Sequence, residues 1–401
     1  FLVFDFNGDG KAEVICKTAP GTIDGVGNYV TVAADDATIK AADNTKIYRT
    51  SVGLILNGPE YLTVFNGETG AAINTINYTP SRGITTNDPS TSTLKSIWGD
   101  NYGNRADRFL ACVAYLDGAD KKPSAVMCRG YYTRSYLWAV DFNGNKLSTK
   151  WLHASTSTSE YSVADATGTS IKYSGPISTC TKKTGTAYGQ GAHSIAVADV
   201  DNDGCDEIIY GSAAINNDGT LLYTTGLGHG DAQHLCDINP DREGLEYFMV
   251  HEDSPYGIDV HDAKTGEILV HANGSGDTGR GMAADIDSNH RGCEIWSSDT
   301  SGNNSYTLDY SGATIVQKKA TYDFRIYWDG DVQEELLNAK NNAPYLEKWN
   351  GTKANNLLIN NQNVSYYGNS TSCNSTKGTP NLTADLFGDW REEMIFWNNK
   401  D

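Results

Sequence analysis

One unit recurs along this chain and constrains its fold more than any other feature: an alternating apolar strand enters an Asp-rich turn and leaves on a second strand. The clearest copy spans residues 195–210, with Asp199, Asp201 and Asp203 in the turn and Glu207 on the outgoing strand; related copies begin at Asp5, Asp117, Asp237, Asp285, Asp329 and Asp385. From Asp199 onward the starts lie 38, 48, 44 and 56 residues apart, close to the roughly 40–50 residues of a four-stranded propeller blade. The earlier gaps of 112 and 82 residues are too wide for one blade each, and the Ser/Thr-rich stretches at 85–93 and 155–186 favour insertions over undetected blades. Between the turns lies a second element, a strand, a polar Gly turn and a strand, at 62–73, 138–147, 258–270 and 306–316. Two hairpins per unit give the four strands of a blade, with loops converging on a central axis.

Composition agrees: 41 Gly, 23 Tyr and 8 Trp in 401 residues suit short strands joined by polar turns. Beyond a short candidate helix at 332–338 no helical period appears, and no linker divides the chain. The expected fold is therefore all-β, a single β-propeller domain over residues 1–401. It is expected to be truncated at both ends, because residues 1–5 read as the middle of a strand and the chain stops just after the apolar run 394–397. The 50 acidic residues outnumber the 31 basic ones, net −19; such a surface repels phosphate backbones, so no nucleic-acid partner is expected. No apolar run approaches the roughly 18–20 residues that span a bilayer, so no membrane partner is expected either. The eight cysteines show no CxxC spacing and read as small buried apolar residues, with one or two disulfides as the alternative.

The Asp-rich turns have the chemistry of calcium loops. In Asp5-Phe6-Asn7-Gly8-Asp9-Gly10-Lys11-Ala12-Glu13, oxygen donors fall at Asp5, Asn7, Asp9 and Glu13, with Gly10 at the sharp turn and a carbonyl available after it. Ca²⁺ takes six to eight hard oxygen ligands, which alternating short carboxylates on a tight loop supply. Asp199, Asp201, Asp203 and Glu207 repeat the spacing, with Gly204 at the turn and Cys205 offering its carbonyl. Two looser copies, Asp237, Asn239, Asp241 with Glu246 and Asp285, Asp287, Asn289 with Glu294, place the Glu one residue later. Several structural Ca²⁺ ions are expected; acidic turns without metal are the competing reading.

Other residues stand out by context. His193 and His229 each follow glycines and precede successive Asp-rich loops, with Asp231 beside the second. They are read as metal or sugar ligands near one rim, against a core role for buried histidines. Arg280 and Lys377 occupy the same blade phase in a chain short of basic residues.

The stretches 58–65 (GPEYLTVF), 98–105 (WGDNYGNR), 129–132 (RGYY), 226–231 (GLGHGD) and 388–393 (GDWREE) resemble the rhamnogalacturonan lyases of polysaccharide lyase family eleven, over essentially the whole chain. The resemblance implies an eight-bladed propeller holding several Ca²⁺ ions and a secreted, pectin-degrading enzyme. Its substrate would be rhamnogalacturonan I, cleaved between rhamnose and galacturonate by β-elimination. It implies Arg280 and Lys377 as basic cleft positions, Asn374, Ser375 and Thr376 as a sugar-contacting stretch, and His193 and His229 as calcium-site histidines. Ser375 departs from the Gly more usual there. A monomer is expected, and endo action over exo, because the short segment before Arg280 leaves no room for a large blocking loop. The rival from another class is a non-catalytic calcium propeller for adhesion or carbohydrate binding. A hydrolase is a weaker rival, since its two carboxylates would have to come from acids committed to metal.

Overall fold

The computed structural model describes residues 1–101, 107–155, 170–173, 186–299, 307–316, 319–340, 343–351, 354–356, 370–374 and 377–398. Among these the chain is all-β and forms antiparallel sheets whose strands follow chain order. It divides into two compact units, Phe1–His229 and Gly230–Asp401.

The first unit holds three sheets. The first comprises Leu2–Phe4, Glu13–Thr18, Tyr61–Asn66 and Ala72–Asn77; the second begins Ala111–Ala114, Ser124–Arg129, Tyr136–Phe142, Leu147–Ala154 and adds Ser170–Tyr173 in parallel. The third comprises Ala196–Ala198, Glu207–Ile209, Ala213–Ile215 and Leu221–Thr224. In the second unit the fourth sheet is Gln233–Cys236, Glu246–Val250, Ile258–Asp262 and Ile268–Ala272, and the fifth is Gly281–Ala284, Glu294–Ser297, Thr307–Leu308 and Thr314–Val316. The sixth is Phe324–Ile326, Glu335–Lys340, Ala343–Trp349 and Ala354–Asn356, and the seventh pairs Leu382–Ala384 with Glu393–Ile395.

Consecutive sheets stack face to face within each unit. Val64, Trp138 and Leu152 fill the space between the first two sheets, and Val126, Leu137 and Ile208 that between the second and third. In the second unit Val250, Val260 and Ile295 join the fourth and fifth sheets, and Trp296, Leu336 and Trp349 the fifth and sixth. Inner strands are therefore buried on both faces, which explains continuous apolar runs such as Ser124–Arg129 and Glu246–Val250.

The helix expected at 332–338 is not there. Glu335–Lys340 is a strand paired with Phe324–Ile326 and Ala343–Trp349. Leu336 and Leu337 are both fully buried, on opposite faces of that strand, and a doubly buried strand lacks the alternation that would have distinguished it. The longer helix of the described residues is Thr91–Trp98, capped by Ser90, which accepts the Thr93 N–H at 3.2 Å, and closed by left-handed Gly99. It and the short helix Ala37–Lys40 lie in insertions, so the wide first gap holds one sheet with long connections, as expected. The seven described cysteines are free thiols; Cys112, Cys128 and Cys293 are buried as expected, but Cys16, Cys205 and Cys236 are half-buried and Cys373, on a polar turn, is exposed.

Candidate functional site

In every Asp-rich loop that ends in Glu, this Glu opens the second strand and lies opposite the last residue of the first: Glu13 opposite Phe4, Glu207 opposite Ala198, Glu246 opposite Cys236 and Glu294 opposite Ala284. This register folds the carboxylate back over its loop, where one oxygen accepts a backbone N–H, from Phe6 (3.0 Å), Val200 (3.1 Å), Ile238 (3.0 Å) and Ile286 (3.0 Å) respectively. In the third sheet Asp199, Asp201 and Asp203 bring carboxylate oxygens within 4.8 Å of one another. Asp199 also accepts the Asp203 and Gly204 N–H groups, and the Cys205 N–H donates to Asp203. The second oxygens of Glu207 and Glu294, and one of Asp285, are buried without a hydrogen-bond partner among the described residues. Burial, then the neighbouring aspartates, push Glu207 up to about 7 and Glu294 up to about 8. Orphaned buried carboxylate oxygens beside further carboxylates are the donor set a hard divalent cation requires, so these residues fit Ca²⁺.

The other loops are partly closed by their own side chains. Asn7 turns its amide NH₂ onto Glu13 (2.7 Å) and Asp9 (3.1 Å), while Asp5 takes the Gly8, Asp9 and Gly10 N–H groups. In the fourth sheet Asn239 accepts the Asp241 N–H, but the Asp241 side chain pairs with Arg291 and accepts the Tyr310 hydroxyl, and Arg242 lies 3.6 Å from Glu246. In the fifth, Asp287 takes the Asn289 N–H groups and the Trp349 indole N–H.

In the first unit, His193 and His229 meet with ring centroids 4.9 Å apart. His229 is fully buried and its Nδ1 donates to the Gly191 carbonyl, which can only accept; this fixes the tautomer that offers Nε2 as a lone pair. Two residues that sequence reasoning passed over complete the cluster. Tyr132 places its hydroxyl 2.9 Å from His193 Nε2 and its ring 4.0 Å from that of His229, and Tyr131 stacks on His229 at 5.4 Å. A Cβ at Gly191 would sit 2.4 Å from the Tyr131 side chain, so glycine is needed for this approach. Asp231 lies two residues beyond His229, in the second unit.

In the second unit, Arg280 stands immediately before the first strand of the fifth sheet and Lys377 on a turn before that of the seventh, closed by an Asn374–Lys377 bridge. Both approach one residue absent from the sequence-derived set, Asp323. Its buried carboxylate lies 3.5 Å from the Arg280 guanidinium and accepts the Gly378 N–H at 3.0 Å. Burial pushes Asp323 up, against the Gly378 N–H and the charges of Arg280 and Lys377. A Cβ at Gly378 would meet the Asn338 backbone at 2.6 Å, so this glycine lets the Lys377 turn seat on the sixth sheet. Ser375 and Thr376 lie outside the described residues; Asn374 is exposed, and its carbonyl accepts the Ser372 hydroxyl. The signal for Asp323 was present in the repeat: it occupies, just before the first strand of the sixth sheet, the phase from which His193 and Arg280 had been read.

The comparisons with known proteins bear on the family of the chain. A model described as "Rhamnogalacturonan lyase family 11, C-terminal domain" matches residues 1–401. The chain is 44% identical over 411 residues to rhamnogalacturonan exolyase YesX of Bacillus subtilis (strain 168), and 42% identical over 407 residues to rhamnogalacturonan endolyase YesW of the same organism. It covers 100% of itself in both matches but 58% and 55% of those relatives, little more than half their length. The solved structure of exotype lyase YesX superimposes with a TM-score of 0.80 at 42% identity, covering 99% of this chain and 59% of that one. The Bacillus licheniformis rhamnogalacturonan lyase PL11 gives 0.79 at 43%, covering 98% and 57%. With its full length matched by the family model and its sheets superimposing on solved relatives, the chain belongs to rhamnogalacturonan lyase family 11.

Proposed function

We propose that this chain is the β-propeller portion, eight-bladed when complete, of a secreted, monomeric rhamnogalacturonan lyase that cleaves rhamnose–galacturonate bonds of rhamnogalacturonan I by β-elimination. The observation that carries the reading is the grouping of Arg280 and Lys377, the two basic cleft candidates, around the buried carboxylate of Asp323. β-Elimination breaks the C5–H bond of the galacturonate, passes that electron pair into a C4–C5 double bond and expels the oxygen on C4, which leaves with rhamnose. Charge that builds on the uronate carboxylate in this step needs a preorganised cation. Arg280 supplies it, Asp323 holds the guanidinium and the Lys377 turn in place, and Lys377 Nζ receives the C5 proton. Asn374, Ser375 and Thr376 would contact the sugar beside it.

Asp5, Asn7, Asp9 and Glu13, the Asp199–Glu207 set with the Cys205 carbonyl, and the sets ending in Glu246 and Glu294 would hold Ca²⁺ as clips between strands. His193 and His229 would hold a further ion. When bound, Ca²⁺ supplies charge neutralisation at acidic turns and Lewis acidity toward a uronate carboxylate. Endo action remains part of the proposal, because the connection between Ile268–Ala272 and Gly281–Ala284, which carries Arg280, is short.

The test is ultraviolet absorbance of 4,5-unsaturated uronate on rhamnogalacturonan I, with calcium or chelator, using the full-length protein that contains this chain. Lys377→Ala is expected to abolish absorbance growth with calcium content and melting temperature unchanged; retained turnover would remove Lys377 from the base role. Binding without absorbance from the wild type would favour the non-catalytic propeller. Early loss of viscosity separates endo from exo action.

A further inference from the structure

The sixth sheet carries an Asp-rich loop of the same build, and its centre is filled by protein. Asp329, Asp331 and Glu335 bring carboxylate oxygens within 4.8 Å of one another. Glu335 opens the second strand and one of its oxygens takes the Trp328 (2.9 Å) and Asp329 (3.1 Å) N–H groups, as in the sister loops. The difference lies on the third strand. In the first and fourth sheets the residue opposite the loop Glu is Asn66 or Asp262, whose side chain accepts N–H groups of its own hairpin, from Glu68 and Thr69 or from Lys264 and Thr265; Asp262 also takes the guanidinium of Arg242 from the loop at 2.9 Å. In the sixth sheet the corresponding position, one step beyond the Leu336–Glu347 pair, is Lys348. Its side chain reaches back into the loop, and Nζ lies 2.5 Å from Asp329, 2.6 Å from Asp331 and 2.8 Å from Glu335.

An ammonium has three N–H donors and no acceptor. Each donor here meets a different carboxylate, and the oxygen of Glu335 it engages corresponds to the one left orphaned in Glu207 and Glu294. We infer that Lys348 is a built-in cation: the sixth loop is held by this lysine and takes no calcium, whereas the third and fifth loops, whose Glu207 and Glu294 keep an orphaned oxygen, depend on a soluble ion. The second sheet contains a reduced version of the device. There Ser124 stands where the loop Glu would be, opposite the region of Asp141, and Lys150 bridges Asp117 (2.6 Å) and Asp141 (3.1 Å). The inference rests on the calcium reading of the sister loops only for its contrast.

Two measurements on the full chain test it. In amine labelling of the wild type, read by peptide mass, Lys348 is expected to stay unlabelled in chelator and in calcium alike while exposed Lys40 is modified; labelling that appears when calcium is added means the ion displaces the lysine and overturns the inference. In metal analysis of protein equilibrated with calcium, Asp331→Asn is expected to leave the number of bound ions unchanged, whereas Asp201→Asn removes one. Loss of one ion from Asp331→Asn overturns the inference. No loss from Asp201→Asn would defeat the calcium reading of the third loop instead, with the labelling result still deciding the role of Lys348.

Discussion

The loops of the third and sixth sheets have nearly the same backbone plan and opposite electrostatics. In both, a buried Glu opens the second strand and ties its loop by backbone N–H groups. In the third, the other oxygen of Glu207 faces Asp199, Asp201 and Asp203 with no protein partner among the described residues, and burial with those charges raises the acid to about 7. In the sixth, three carboxylates surround Lys348 and push its pKa well above the ordinary lysine range, although burial alone would lower it. On the proposed reading, the same turn takes an ion from solution in the third sheet and a cation from the chain in the sixth, where a third-strand lysine supplies it.

The largest effect is expected from removing that residue. Lys348→Met leaves three carboxylates, one of them fully buried, without a counter-charge. Breaking such a pair from one side costs about 3–5 kcal/mol, so the melting temperature in chelator should fall clearly below that of the wild type. Millimolar calcium should restore part of the loss, because the vacated loop then offers Asp329, Asp331 and Glu335 to an ion, although Tyr327 stands where the third loop has Asp199. An equal loss in calcium and chelator would mean that the two loops are not interchangeable.

Next in size is the pH dependence of the chelated protein. Glu207 and Glu294 have pKa values near 7 and near 8 in the folded chain against an ordinary 4.5. The folded state therefore binds more protons between pH 4.5 and about 8, and the stability these groups contribute is fully present below 4.5 and lost as pH rises through 7 to 8. The melting temperature in chelator is expected to fall across that window, and the double variant Glu207→Gln, Glu294→Gln to flatten it. In calcium the carboxylates bind ionised, so the trend should reverse, with weaker ion retention at low pH. A profile in chelator that rises from pH 5 to 8 would contradict this assignment of the buried acids.

Much of this contrast was legible in the sequence, and the unread part has physical causes. The Asp-x-Asx-x-Asp spacing and the Gly at the turn are local, so the loops of the first, third, fourth and fifth sheets could be placed from residue order alone. The copy at Asp329 was found too, but its counter-ion stands on the third strand, where only the strand register brings it opposite Glu335. The same limit hid Asp323, whose significance depends on Arg280 and Lys377 approaching it from other sheets, and Tyr131 and Tyr132, which join the histidine pair from a different connection of the fold. The helix misreading at 332–338 arose because Leu336 and Leu337 are buried on opposite faces and erase the strand period. Cysteine burial followed for Cys112 from the apolar run around it and needed no long-range information, whereas Cys373, in a polar turn, is exposed.

The smallest expected effect concerns the second sheet, where the lysine device has exposed partners. Lys150 is mostly covered, but its partners Asp117 and Asp141 are 55% and 42% exposed, so water competes for both carboxylates. An ion pair in that setting contributes about 0.2–1 kcal/mol. Lys150→Met is therefore expected to shift the melting temperature slightly, less as salt is added, with no recovery in calcium, because Ser124 in place of Glu leaves the loop without the buried oxygen an ion would need. A loss as large as that of Lys348→Met, or a rescue by calcium, would show that a loop needs no buried Glu to exchange its lysine for calcium.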